Sequence, residues 1–170
     1  MIIAAHAGTG KTTLARAHPD KIIDLVAMPF KYHLEGSDDA EPEKSKAGYS
    51  GSAIQADWPE NYADAIKKAA NGGKVILIPS DRSVLSLLSQ DNLSYILCYP
   101  ERSAKETYRR RYINRGNTEA FLNIFIDGWD RFIDILENDK QGKRIVMQAH
   151  QYLSDVIDVN LLKEFARNLI

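Results

Sequence analysis

The sequence predicts an α/β fold, a single domain in which a parallel β-sheet is covered by helices on both faces. Three observations predict it. Short apolar runs that read as strands alternate with stretches of helical periodicity, a pattern that makes a parallel sheet with its ligands at the carboxyl ends of the strands. A glycine-rich turn separates the first such run from the first helix. The 170 residues suffice for one sizeable core and are too few for two ordinary domains.

The first strand is brief, residues 2–4, and the first helix spans 11–18, where Pro19 stops it for want of an N–H. Residues 21–26 form a second apolar run, interrupted by Asp24 and followed by Pro29, Phe30, Lys31 and Tyr32. A polar segment, 35–57, rich in Gly, Ser, Asp and Lys, shows no periodicity and is expected to be a flexible substrate-side loop. Pro59 opens a helix with Tyr62, Ile66, Ala69 and Ala70 on one face, ended by Gly72 and Gly73. A buried strand is expected at 74–79, a helix around Val84, Leu85, Leu87 and Leu88, and a strand at 95–99 closed by Pro100.

Ser103 and Glu106 have the spacing of a capping box, which predicts a helix from about 104 to 115. Asn117 and Thr118 start another, whose stripe of Phe121, Leu122, Phe125, Trp129, Phe132, Ile133 and Leu136 is the clearest in the chain. Residues 144–147 read as a fifth strand, and Leu161, Leu162, Phe165 and Leu169 as a terminal amphipathic helix.

Composition narrows the function classes. Hydrophobic residues at 44% and charged residues at 26% give the balance of a globular protein. A net charge of -1 provides no field for coating nucleic acid, so any anion site must be local. Cys98 is the only cysteine, which excludes an internal disulfide and a thiolate zinc cage. With no secretory or membrane-spanning run, the expected location is cytoplasmic. The sequence leaves the oligomeric state open.

The chemistry-bearing motif is Ala5-His6-Ala7-Gly8-Thr9-Gly10-Lys11-Thr12, the phosphate-binding P-loop with Ala5 in place of its first glycine. Its setting predicts a three-layer P-loop NTPase fold. Ala7, Gly8, Thr9 and Gly10 would present backbone N–H groups as an anion nest, Lys11 would reach the outer phosphates, and Thr12 would place its hydroxyl on Mg2+. Thr13 would lie near the α-phosphate. The expected ligands are therefore ATP and Mg2+. His6 could be a catalytic group, but a variable loop position more often contributes packing or a backbone contact.

A P-loop alone does not separate kinases from GTPases and motors. No Asn-Lys-x-Asp run reads guanine, and the chain is short for a ring motor. Tyr108, Arg111, Tyr112 and Arg115 share one helical face, and two guanidiniums suit the oxygens of a migrating phosphoryl group. Gly116-Asn117 after them reads as a hinge, making 109–120 a lid region. The alternative is a solvated basic face, which fits Arg109 and Arg110. Phe30, Lys31, Tyr32 and Trp58 would either stack on a base or bind an acceptor phosphate, or belong to the core.

On these residues the chain resembles the P-loop nucleoside and nucleotide kinase superfamily, in particular small phage and bacterial members related to adenylate kinase and the polynucleotide kinase domain. The resemblance rests on residues 5–13, on Asp24 in Ile22-Ile23-Asp24-Leu25, on Val75-Ile76-Leu77-Ile78-Pro79-Ser80-Asp81, and on Arg111 and Arg115 after Tyr99-Pro100. Residues 5–13 are the specific part. It implies strand order 2-3-1-4-5, a small mobile lid around the arginines, an acceptor pocket after the second strand and an adenine contact near 148–152.

The resemblance also gives roles to two carboxylates. Asp24 falls where such kinases bind or deprotonate the phosphoryl acceptor, its alternative being a strand-end aspartate facing water. Asp81 resembles the Walker B position that holds Mg2+ through water, its alternative being a helix N-cap. The implied activity is transfer of the γ-phosphoryl of MgATP to a small-molecule acceptor, a nucleoside monophosphate first. A nonenzymatic ATP-binding switch or degenerate kinase, and a polynucleotide 5'-hydroxyl or sugar kinase, are the alternatives.

Overall fold

A computed structural model of the chain describes residues 1–33 and 53–159. The expected loop at 35–57 lies outside the described residues except for 53–57, and the expected terminal helix carrying Leu161 to Leu169 lies wholly outside them.

The five strands are β1 (Ile2–Ala5), β2 (Ile22–Asp24), β3 (Val75–Pro79), β4 (Tyr95–Pro100) and β5 (Lys143–Met147). All pair in parallel, in the order β2-β3-β1-β4-β5. β1 is central, with Ala5 opposite Pro79 on one side and Cys98 on the other. Every residue of β1 is buried, as expected of a strand covered on both faces.

Side-chain alternation divides the core into two layers. Ile2, Ala4, Ile76, Ile78, Leu97 and Tyr99 face one way. There they meet α3 (Glu60–Ala70), α4 (Arg82–Gln90), α5 (Lys105–Asn114) and α7 (Trp129–Glu137). Ile3, Ala5, Leu77, Ile96, Cys98 and Met147 face the other, against α1 (Lys11–Ala17) and α8 (Leu153–Val156). Burial pushes the Cys98 thiol up to about 12, so it behaves as a small hydrophobe.

Two short elements were not expected from the sequence, α8 and α2 (Met28–Lys31), where Pro29 sits within the first turn. Two expectations are corrected. Ser103 and Glu106 form no capping box: a 3-10 turn, Arg102–Ala104, precedes α5, and Ala104 opens the helix without a side-chain cap. Ser103 is drawn into that turn, so it does not occupy the extended N-cap conformation that the box requires. The long aromatic stripe is also not one helix. Thr118 caps α6 (Glu119–Leu122), a π-turn follows at Asn123–Asp127, and α7 restarts after Gly128. The wider turn stacks Phe121 on Phe125 at 4.3 Å and Phe125 on Phe132 at 5.4 Å between ring centroids.

Candidate functional site: the P-loop and the carboxyl edge of the sheet

Ala5 ends β1 at the carboxyl edge of the central strand, and α1 begins six residues later at Lys11. Between them Gly8 and Gly10 take φ of 78° and 92°, the left-handed region where a side chain is strained. Both are also approached closely. A Cβ on Gly8 would lie 2.8 Å from a ring carbon of Tyr112, and one on Gly10 would lie 3.3 Å from Tyr152. The loop is held from inside by the Thr9 hydroxyl, which donates to the His6 carbonyl at 2.8 Å, and from outside by the Tyr112 hydroxyl, which donates to the Ala7 carbonyl at 3.0 Å. Lys11 Nζ folds across it and donates to the carbonyls of Ala5 and His6 at 2.8 and 3.1 Å. α1 starts with neither a side-chain cap nor an acidic residue in its first turn, so the positive end of the helix opens on the loop.

His6 is 2% exposed, with the rings of Tyr108, Phe125, Trp129 and Phe132 within 5.6–6.3 Å. Burial, aided by the nearby Lys11 ammonium, pushes its pKa down to about 3, so the imidazole is neutral. Its Nε2 has no hydrogen-bond partner among the described residues. The sequence reading of His6 as a packing position matches this geometry.

Asp24 ends β2, two strands from the P-loop strand, yet its Oδ2 accepts a 2.6 Å hydrogen bond from the Thr12 hydroxyl. The next carbonyl, that of Leu25, accepts the hydroxyl of the buried Tyr62. Burial first, then the charges of Asp24 and Asp81, push the Tyr62 phenol well above its usual range. Thr12 and Asp24 supply hard oxygen donors, the set that suits Mg2+ when phosphate oxygens and water complete its shell. No group of three or more His, Cys, Asp or Glu that could hold a metal ion occurs among the described residues.

Asp81 is the N-cap of α4: Oδ1 accepts from the Ser83 N–H at 3.0 Å and from the Ser83 hydroxyl at 2.6 Å. Its Oδ2 receives the Lys31 ammonium at 3.3 Å. Burial alone would raise its pKa, but the Ser83 bonds and Lys31 outweigh it and hold the carboxyl below its usual range. The N-cap alternative is thus realised in the geometry, while the carboxylate Thr12 touches is Asp24. Lys31 also lies over the Trp58 ring at 5.0 Å and near that of Tyr32 at 5.9 Å, and Trp58 stacks on Tyr62 at 5.6 Å.

Arg111 and Arg115 separate. Arg111 turns to the loop after β5, where Nη2 donates to the carbonyls of Ala149 and Gln151 at 2.9 and 3.1 Å. Its guanidinium lies over the Tyr152 ring at 3.9 Å and the Tyr108 ring at 4.7 Å. Arg115 is exposed at the end of α5, just before Gly116, whose φ is 71°. The loop that Arg111 holds is fastened to the P-loop in turn, since the Leu153 N–H donates to the Thr9 carbonyl at 2.9 Å. Sequence reasoning placed Gln148 to Tyr152 near the nucleotide but missed Tyr152 as the ring over Gly10, and missed Tyr62. A lone tyrosine carries no signal for either role; the four-residue spacing of Tyr108 and Tyr112 was the one available clue to the wall behind Gly8.

No protein-family model matches this chain, and no curated protein matches it either. Among solved structures it is similar to a gluconokinase from Sinorhizobium meliloti 1021, with a TM-score of 0.53 and 15% identity over 99% of this chain and 93% of that one. At that identity the likeness is one of fold. With five parallel strands in the order 2-3-1-4-5 and helices on both faces, the chain has a P-loop kinase-like α/β fold. No helix among the described residues is long and apolar enough to cross a membrane.

Proposed function

We propose that this chain is an ATP-dependent phosphotransferase that moves the γ-phosphoryl of MgATP to a small acceptor bound beside Asp24. The observation that carries the reading is the Thr12 to Asp24 hydrogen bond, which puts a carboxylate from the second strand against the first turn of the P-loop helix. A phosphate cradle alone serves any nucleotide-binding module. A carboxylate at its lip gives it a second reactant to act on.

In this reading Ala7, Gly8, Thr9, Gly10 and Thr13 hold the phosphates through backbone N–H groups and the helix end. Lys11 leaves the carbonyls of Ala5 and His6 to neutralise the outer phosphates. Thr12, with Asp24 behind it, would hold Mg2+, which when bound neutralises charge on the leaving diphosphate. Arg111 keeps the loop around Ala149 to Tyr152 against the cradle, and Arg115 is the guanidinium we assign to the migrating phosphoryl. Asp81 positions Lys31, and its share in the metal site is limited to water-mediated contact.

The nature of the acceptor follows from charge. A nucleoside monophosphate would present its reacting phosphate to Asp24 with no cation between them, and like charges at short range disfavour it. A hydroxyl acceptor donates a proton to a carboxylate, so Asp24 favours an alcohol, and the likeness of fold to a gluconokinase supports the same choice. Acceptor-dependent ADP formation, screened by mass spectrometry over sugars, sugar acids, nucleosides, nucleotides and DNA ends, tests the reading. Tight MgATP binding without ADP formation on any acceptor would make the chain a binding switch instead.

A further inference from the structure

We infer that Lys31 anchors an anionic group of the acceptor, so that the acceptor class is a hydroxyl compound carrying an oxyanion, carboxylate or phosphate, at a distance from the reacting hydroxyl. This rests on the phosphotransferase reading and specifies its second substrate.

Lys31 ends α2, the short helix that follows β2 and Asp24, and its ammonium reaches Asp81 just past the carboxyl end of β3. Its backbone is fixed: the Lys31 carbonyl accepts the Gln55 N–H at 2.9 Å, and the Gln55 side chain donates to the Pro29 and Tyr32 carbonyls at 2.8 and 3.0 Å. Asn61 in α3 donates to the Phe30 carbonyl at 2.8 Å. The ammonium therefore projects from a braced turn and lies over the Trp58 ring at 5.0 Å.

Its present partner is exchangeable. The Lys31 to Asp81 contact is a single one of 3.3 Å, with the two side chains 26% and 27% exposed, so solvent weakens it. Asp81 retains both Ser83 bonds when Lys31 leaves, so it is not stranded. An incoming oxyanion meets an ammonium with three donors, already partly desolvated by Trp58 and held in place. Tyr62 links the two ends of the site, its ring stacked on Trp58 and its hydroxyl bonded beside Asp24. The buried Tyr62 thus braces both ends from beneath, and an acceptor spanning them has its charged group at Lys31 and its hydroxyl at Asp24.

In the transfer step the acceptor oxygen forms the bond to the γ-phosphorus and the bond from that phosphorus to the β,γ-bridging oxygen breaks. The electron pair leaves on ADP, and the hydroxyl proton goes to Asp24. Lys31 takes no part in these bond changes. It acts on binding alone.

The test uses the full chain with MgATP and matched acceptors: gluconate against sorbitol and glycerate against glycerol for the carboxylate source, glycerol 3-phosphate against glycerol for the phosphate source. The expected result is a kcat/KM at least tenfold higher for one charged series than for its neutral partner, the responding series identifying the oxyanion. Lys31→Met should raise KM for that acceptor by about thirtyfold, the scale of one charge-assisted contact, with kcat and the MgATP KM within about threefold and Lys31→Arg restoring part of the loss. Lys67→Met, on the exposed face of α3, is the charge-loss control. Neutral alcohols turned over as well as acids, or a Lys31→Met KM within twofold of wild type, would overturn the anchor while leaving the kinase reading intact. No ADP from any acceptor, with MgATP bound, would overturn both.

Discussion

Thr12 and Asp24 are joined by one short hydrogen bond, Oγ1 to Oδ2 at 2.6 Å, between the first turn of α1 and the last residue of β2. In the proposed reading the bond couples the metal side of the site to the acceptor side, so an isosteric change at Asp24 should register on both. Asp24→Asn keeps the size but loses charge and basicity. Turnover should fall by roughly a hundredfold, the scale of general-base catalysis, and the Mg2+ concentration for half-maximal rate should rise, while metal-free ATP binding is unchanged. Steady-state rates across a Mg2+ titration, paired with calorimetry, measure all three. Normal rates and normal Mg2+ dependence would leave Asp24 an ordinary strand-end carboxylate.

Lys11 is bonded to the Ala5 and His6 carbonyls and must release them to reach a phosphate. Lys11→Ala should fold, because Thr9 and Tyr112 still hold the loop, and should weaken MgATP binding by about ten- to a hundredfold, the worth of hydrogen bonds to a charged group. Isothermal titration of the folded variant checks this. An unchanged affinity would place the nucleotide elsewhere.

Arg111 and Arg110 are neighbours on α5 with different surroundings. Arg111 is bonded to Ala149 and Gln151 and stacked on Tyr152, whereas Arg110 is exposed. Arg111→Ala should cost about 2 kcal/mol of stability and also weaken nucleotide binding, because it frees the loop that closes over Gly10. Arg110→Ala should stay within about 0.5 kcal/mol. Urea melts of both variants, with and without MgATP, separate a clamp from a basic surface: equal midpoints would refute the clamp.

His6 makes stability depend on pH in a defined window. Its folded pKa, pushed down to about 3, lies below the unfolded value of 6.5, so between those limits the unfolded chain binds the extra proton. Stability contributed by the neutral imidazole is fully present above pH 6.5 and is lost as pH falls toward 3, with a limiting slope of about 1.4 kcal/mol per pH unit. Denaturant melts from pH 7 to 4.5 should show this slope in the wild type and a shallower one in His6→Asn. Parallel slopes would mean that the imidazole does not stay neutral in its aromatic pocket.

The strands and the phosphate loop were legible because their signals are local. β1, β3 and β4 are apolar runs buried on both faces, and the P-loop pattern resides in adjacent residues. The site's connections were not legible, because each joins residues distant in sequence: Lys31 to Asp81, Arg111 to Ala149, Tyr112 to Ala7. For Arg111 the helical spacing set it apart from Arg110, which is exposed. It gave no sign that the partner would be a pair of backbone carbonyls, since a carbonyl has no side-chain signature. The π-turn escaped notice because Phe121, Phe125 and Phe132 keep an apolar period through it.

The ring of Tyr152 against Gly10 and the Leu153 N–H on the Thr9 carbonyl set an order of events during synthesis of this chain. The ribosome makes the glycine turn long before Tyr152, and β1 has no partner until β3 and β4 emerge to flank it. At about 5–20 residues per second, several seconds separate the two. Throughout that interval the nascent cradle lacks its outer wall, so nucleotide competence waits until the residues after β5 close over a turn made long before them.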